Sequence, residues 1–301
     1  MQARLSEGLA TRLVEFVRER FPPAIYGPLI AVFTAAAFVP TVGHAPDGFD
    51  AGRYVVAALA VGAAFLHLRI ADELKDVEVD RLGRPERPLP RGLVSARELR
   101  VVAIVVLALG VGLAGLIGAS ALAAFAAAAV FIALADFDFG IGRIVHGNLL
   151  VYALAHSPTV PLLLVFAALA GDPAPRSELP WLIALAWSLG LGLEFARKTR
   201  PAGDERPFVE TYSQQLGHRG ASLLTGLMLT LAALAAVGHA ATIGAMGVAA
   251  VALAAALVIG VGTIVLAGRF GQRAIEAAAN AAGLLLLCTP ILSTVLSPLS
   301  R

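Results

Sequence analysis

The chain has 301 residues, 58% of them hydrophobic and only 15% charged, with a mean hydropathy of +0.81. So few charges cannot cover the surface of a water-soluble domain of this size, which excludes that class and leaves an all-α polytopic membrane protein. The single cysteine, Cys288, rules out an internal disulfide and a cysteine-rich metal cluster, and the net charge of +2 says less than where the charges sit.

The N-terminus does not read as a cleavable secretory signal, because no short basic region leads straight into an apolar core and a small-residue cleavage site. Residues 1–23 predict an amphipathic interfacial helix instead. Leu5, Leu9, Leu13, Phe16 and Val17 share one face, while Arg12, Glu15, Arg18, Glu19 and Arg20 lie elsewhere. A frayed soluble tail is the plainer alternative.

A spanning helix needs about 20 mostly apolar residues. Nine stretches of residues 24–301 qualify, at about 24–42, 54–71, 98–118, 120–135, 148–170, 180–196, 220–238, 241–267 and 273–296. Nine helices around a central cavity are expected. Pro22 and Pro23 open the first, Gly118 and Ser120 part the third from the fourth, and the fourth is short and ends at Asp136. The run GDPAPRSELP at 171–180 is a loop.

Lys and Arg set the expected orientation. With the N-terminus inside, all 23 basic residues fall on the cytoplasmic side except Arg53, Arg176, Arg301 and the helix-end Arg69. A bacterial-type inner membrane is expected, with both charged loops, 72–97 and 197–219, cytoplasmic. They follow the second and sixth spans, which hints at a duplicated architecture.

The first loop carries Asp72, Glu73, Asp76 and Asp80, then Arg84 and Arg87-Pro88-Leu89-Pro90-Arg91-Gly92. If the second span stays helical to residue 80, positions four apart drift by only about 40° per step, and the three aspartates line one face over roughly 12 Å. Crowded carboxylates repel and need cations. A set of oxygen ligands alone suits Mg²⁺, which keeps waters and is shared with substrate phosphates. The nearby arginines suit phosphate oxygens. The plainer reading is an acidic helix end neutralised by those arginines.

The order Asp72-Glu73-x-x-Asp76-x-x-x-Asp80 followed by Arg87-Pro-Leu-Pro-x-Gly92 resembles the first motif of the UbiA superfamily of intramembrane prenyltransferases. Asp72 takes the place of an Asn, Glu73 the place of the following Asp, and the rest matches outright. Nine spans with both charged loops inside also match, so the resemblance covers nearly the whole chain. It implies a helical bundle in which a prenyl diphosphate binds through Mg²⁺ and the allylic chain passes to an acceptor.

The second motif departs from the pattern. The family has a DxxxD run after the sixth span; here the acids are Glu194, Asp204, Glu205 and Glu210. Alignment on VETYSQQLG puts Glu205 near the second Asp and Pro201 near the first, with Glu194 where a YxxxK element has its tyrosine. The resemblance assigns Asp204 and Glu205 to a divergent half of the metal site. It sets Lys198 and Arg200 on the departing diphosphate, with Glu194 as a substrate contact. Glu194 and Lys198 are also spaced as a plain i,i+4 helical ion pair.

Inside the bundle, Asn148, Tyr152 and His156 recur every four residues on the fifth span and are expected to face the interior and line the acceptor site. A hydrogen-bonded packing role for His156 is the alternative. Glu276 and Asn280 form a weaker pair. Asp136, Asp138 and Arg143 sit at the cytoplasmic edge, as a cap or as a solvated turn. Arg69, one turn or less before the motif, is expected to hold an aspartate or a phosphate.

No Walker A loop, nucleophile elbow, H-E-x-x-H or Asp-Gly-x-x-Ala-Arg motif competes. The reading is Mg²⁺-dependent prenyl transfer from an isoprenoid diphosphate to an aromatic or other lipophilic acceptor. Asp72, Glu73, Asp76 and Asp80 bind metal, Asp72 and Asp76 act with Lys198 and Arg200 in catalysis, and Arg84 and Arg87 hold phosphate. The alternatives are a non-catalytic lipid-binding or transport protein on the same fold, or a transferase with another phosphate-activated donor.

Overall fold

The computed structural model describes residues 8–42, 48–142, 148–173, 177–205 and 209–297, and every regular element among them is helical. Arg4, Leu5, Arg143, Arg176, Arg206 and Arg301, used above, lie outside the described residues. In chain order the helices are α1 (Leu9–Arg20), α2 (Pro23–Val42), α3 (Ala51–Lys75), α4 (Val77–Gly83), α5 (Ala96–Ile117), α6 (Ala119–Asp136), α7 (Leu149–His156), α8 (Thr159–Gly171), α9 (Leu179–Arg197), α10 (Tyr212–Thr242), α11 (Met246–Leu266) and α12 (Gln272–Leu296). Taking α7 and α8 together, nine segments among the described residues are long and apolar enough to cross a membrane.

Local chemistry explains where the helices start and stop. Asp50 caps α3 by accepting from the Arg53 amide at 3.0 Å. Ser95 and Glu98 form a capping box on α5, and Thr211 and Gln214 form one on α10. The second box starts α10 at Tyr212, eight residues before the apolar run at 220, and Gly217 breaks the helix within its first turns at φ +71°. The fifth span is split because Pro158 and Pro161 cannot donate to the helix ladder. The Ser157 hydroxyl takes up the Leu154 carbonyl at 2.9 Å.

The spans form a closed ring in which α2, α3, α5, α6, α8, α9, α10 and α12 each pack on the next and α12 returns to α2; α11 lies outside against α10. The core is dominated by alanine with phenylalanine and leucine, as suits backbones drawn close in lipid. Outward-facing Ile104, Leu116, Val258 and Leu285 are about two-thirds or more exposed, and an apolar exterior of that kind belongs in a bilayer.

One end of the ring is shut. There α8 packs against α2 and α3, the Thr41 hydroxyl donates to the Ala168 carbonyl at 3.0 Å, and Gly171 meets α2 so closely that a Cβ would lie 2.8 Å from the Phe38 carbonyl. At the other end α7 packs chiefly on α9, and Asp72 and Asp76 of the first charged loop remain exposed.

α1 closes over the first loop. Phe16 is 1% exposed among Ile70, Leu89, Leu93, Val94 and Leu99. Arg12 forks onto Glu98 at 2.7 and 3.1 Å and onto the Leu93 carbonyl at 3.1 Å, while Arg91 reaches Glu15 and Glu19. The Arg-Pro-Leu-Pro-Arg-Gly segment is thereby explained. Leu89 plugs the small core, and Gly92 at φ +78° lets the Leu93 amide return to the Pro88 carbonyl at 2.9 Å.

Candidate active site

Asp72 ends α3 and Asp76 stands at the α3–α4 junction. The expected continuous helix through residue 80 is interrupted at Asp76, whose φ and ψ are −82° and 0°. The hydrogen-bond ladder nevertheless continues, Asp76 N to Asp72 O at 2.9 Å and Asp80 N to Asp76 O at 2.8 Å. The three aspartates therefore stay on neighbouring turns, but their environments diverge.

Asp72 and Asp76 are exposed, the Asp72 side chain by 52%. Asp80 and Glu73 are buried, at 2% and 1%. Asp80 binds Arg87 and lies 3.7 Å from Arg84. Glu73 binds Arg20 of α1, with Arg69 at 3.6 Å and Arg87 at 3.8 Å on the same oxygen. Arg69 also lies 3.7 Å from Asp72. Desolvation pushes the Asp76 carboxyl above the usual carboxylate range, and the charges of Asp72 and Asp80 push it further.

The second loop meets this pair. Arg197, Glu194, Lys198 and Lys75 are within electrostatic reach of Asp72, and Arg87 and Lys198 within that of Asp76. Glu194 is held by Arg197 at 2.6 Å and Lys198 at 3.0 Å, so the expected i,i+4 pair is present and the Arg197 guanidinium shares it. The Lys75 and Lys198 ammonium groups each lie 5.9 Å from the centroid of the Tyr152 ring. Arg200 is 7% exposed; its amide donates to Ser213, while its Nε and Nη1 have no hydrogen-bond partner among the described residues.

Other expected residues are placed differently. Asn148 is not on an inward stripe. It caps α7, its carbonyl oxygen accepting from the amides of Leu150 at 2.8 Å and Val151 at 3.3 Å. Tyr152 and His156 do stack, with centroids 4.0 Å apart. His156 Nε2 lies 3.3 Å from Asp138, which also accepts from Lys75 at 2.9 Å. Asp138 and Phe139 both take left-handed backbone conformations, φ 49° and 55°, a strained arrangement at the cavity rim. Asp136 is tied to His67 at 2.8 Å. Glu205 is taken up inside its own loop by Thr211 at 2.7 Å and Gln214 at 3.1 Å. Asp204 lies against Gly271 at the start of α12. Asn280 is exposed.

Three cations at the site escaped the motif reading: Lys75, Arg197 and Arg20. Lys75 is three residues from Asp72 and Arg197 three from Glu194, spacings that put each on its partner's face. Nothing in the local sequence pairs Arg20 with Glu73, 53 positions away.

Acidic and basic residues thus converge at one end of a nine-span bundle, on two loops that follow the second and sixth spans. The pattern of the UbiA prenyltransferase family matches residues 29–293. The chain belongs to that family. Among relatives, the digeranylgeranylglyceryl phosphate synthase of Halobacterium salinarum is 31% identical over 211 residues, 67% of this chain and 71% of that protein. The synthase of the same name from Methanopyrus kandleri is 36% identical over 122 residues, 40% of this chain and 42% of its own length. In structure, the UbiA fold is shared with a digeranylgeranylglyceryl phosphate synthase (TM-score 0.68, 14% identity, covering 95% of this chain and 99% of that one). It is shared too with a UbiA homologue from Archaeoglobus fulgidus solved with DMAPP and Mg²⁺ (TM-score 0.61, 16% identity, covering 93% and 99%). The sequence-based expectations of a UbiA membrane protein and a nine-span helical fold hold.

Proposed function

We propose that this chain transfers a prenyl group from an isoprenoid diphosphate to a lipophilic acceptor within the membrane, with Mg²⁺. The observation that carries the reading is that exposed Asp72 and Asp76 on the first loop lie within electrostatic reach of Arg197 and Lys198 on the second. Among the described residues no three His, Cys, Asp or Glu side chains are grouped to hold a metal by themselves. Two exposed carboxylates one turn apart nevertheless fit Mg²⁺, which is usually bound by one or two carboxylates together with waters and substrate phosphates. When bound, the ion neutralises diphosphate charge and eases departure of the leaving group.

The protein's own groups do the rest. Asp72 and Asp76 hold the ion. Lys198 and Arg197 donate to phosphate oxygens as charge builds on them. Arg200, nine-tenths buried with two N–H groups that have no partner among the described residues, is fit for a further anionic oxygen. Tyr152, stacked on His156 with two ammonium groups near its ring, forms a wall of the reaction space. The C1–O bond of the donor breaks, inorganic diphosphate leaves, and the acceptor forms the new bond to C1 and gives up a proton. The shut far end and the alanine-rich core keep bulk water from the allylic carbon.

We place the acceptor among lipids that carry a glyceryl phosphate, following the names of the relatives. An apolar recess of about 550 Å³ between α7, α9 and α10, lined by Leu150, Leu154, Leu191, Phe195, Leu223 and Leu227 among others, is sized for part of an isoprenoid chain. The excess of Lys and Arg on the charged loops supports a cytoplasmic site and a cytoplasmic N-terminus, with residues 1–23 at the interface as an appendage to a single membrane domain over 24–301. The test is to incubate purified protein with C10 to C20 prenyl diphosphates and a glyceryl phosphate lipid, with Mg²⁺ or with chelator, and to read the lipid mass. A Mg²⁺-dependent gain of one prenyl unit is expected. No product with any donor, while the protein stays folded, removes the reading.

A further inference from the structure

The geometry points to a second duty for the N-terminal helix: Arg20 positions Asp72 through the relay Arg20–Glu73–Arg69–Asp72, with Glu73 acting as a charge hub and not as a ligand of the divalent ion. This rests on the functional reading only in taking Asp72 as a metal-holding group.

Glu73 has no exposed side-chain surface. One of its oxygens, Oε1, faces three guanidinium groups: that of Arg20, which is closest, then Arg69 at 3.6 Å and Arg87 at 3.8 Å. The other oxygen makes no hydrogen bond among the described residues. A divalent cation on Glu73 would stand among those three positive groups, and their repulsion disfavours it. Asp72 and Asp76 are exposed where Glu73 is buried, and the cation closest to Asp72 on its own helix is Arg69 at 3.7 Å.

Arg69 is the link. Its Nε donates to the Arg20 carbonyl at 3.0 Å, at the C-terminal end of α1, where a cation also meets the negative end of the helix dipole. Its two terminal nitrogens divide between Glu73 at 3.6 Å and Asp72 at 3.7 Å. If Arg20 is removed, Glu73 stays buried and short of its closest partner, and Arg69 is the mobile cation drawn toward it and away from Asp72. Arg20 is itself held because α1 is pinned elsewhere, by Phe16 in the small core, by Arg12 on Glu98 and by Arg91 on Glu15 and Glu19. Arg20 touches neither ion nor substrate and is therefore a positioning residue.

The test uses the full chain in detergent. Mg²⁺ is titrated calorimetrically with an unreactive prenyl thiolodiphosphate present, and amide hydrogen exchange is followed over residues 70–76. Removing a partner that orients a metal ligand typically costs 10–100-fold in metal affinity, so Arg20→Gln is expected to weaken Mg²⁺ about tenfold. It should also raise the donor KM more than it lowers kcat and speed exchange at 70–76. Glu73→Gln leaves no buried charge to draw Arg69 off Asp72, so it should lose less than Arg20→Gln, and adding Glu73→Gln to Arg20→Gln should recover part of the loss. Arg20→Lys, which keeps the charge, guards against simple unfolding and should fall between wild type and Arg20→Gln. Unchanged Mg²⁺ affinity and unchanged exchange in Arg20→Gln overturn the relay, as does a loss in Glu73→Gln far beyond that in Arg20→Gln, the mark of a direct ligand. If wild type binds no Mg²⁺ with the analogue, the functional reading fails by itself, and the exchange rates still decide the relay.

Discussion

Replacing Lys198 with Ala separates the chemistry from the scaffold. In the fold, Lys198 shares Glu194 with Arg197; the Lys198 ammonium is 3.0 Å away and the Arg197 guanidinium 2.6 Å. Both side chains of the Lys198–Glu194 pair are about a quarter exposed, so losing one partner of a doubly held carboxylate should cost about 0.5–1 kcal/mol of stability. In the proposed reaction Lys198 would be a preorganised donor to a leaving group that gains charge in the transition state. Removing one such donor typically costs about 2.7–4 kcal/mol, or roughly 10²–10³ in kcat. The two magnitudes differ enough to be told apart. Thermal unfolding in detergent should move by no more than a few degrees, while single-turnover prenyl transfer should slow at least a hundredfold, with donor binding weakened less. A Lys198→Ala enzyme that turns over within threefold of wild type would refute the assignment of this ammonium to the leaving diphosphate. A collapse in stability would show that its main work lies in holding α9.

The other predictions concern the frame. Gly171→Ala places a Cβ 2.8 Å from the Phe38 carbonyl and should destabilise the protein by about 1–3 kcal/mol, read as a lower unfolding temperature. Asn148→Ala removes the acceptor for two α7 amides and should cost about 1 kcal/mol, while leaving donor KM within twofold; a large rise in KM would return Asn148 to the substrate. The hydrogen bond from Arg91 holds Glu19 below its ordinary 4.5. A depressed carboxylate lends its stabilisation above its unfolded pKa and loses it as pH falls through the folded one, so α1 should stay protease-resistant from neutral pH to about 5 and loosen below 4.5. Resistance that does not change down to pH 3 would show that the Phe16 contacts alone keep α1 docked.

The spans were legible because an apolar run of about 20 residues has few alternatives to a membrane helix. Where boundaries moved, short-range chemistry had overridden hydropathy, as with Thr211 and Gln214 starting α10 inside a polar stretch. The first loop's residues were legible as a set but not in their division of labour. Four acids at helical spacing look alike in sequence; the structure buries Glu73 and Asp80 against partly buried arginines and leaves Asp72 and Asp76 exposed. That sorting depends on Arg20 and Arg87, and Arg20 comes from a helix that sequence patterning treats as peripheral. Asn148 shows the reverse error. A four-residue recurrence suggested a shared face, whereas an Asn just before an apolar run is as readily a cap.

The clamp between α1 and the first loop also constrains how the protein is made. Arg12 finds its partners 81 and 86 residues further along the chain, at Leu93 and Glu98. At ordinary rates of synthesis that is a wait on the order of 10 s, during which two spans must enter the bilayer before α1 has anything to dock on. Through that interval Phe16 has no core to fill and the acids of the first loop lack Arg20. The reaction mouth is therefore assembled late, from an older and a much younger piece of the nascent chain, and a fusion that delays α1 would be felt first at Asp72.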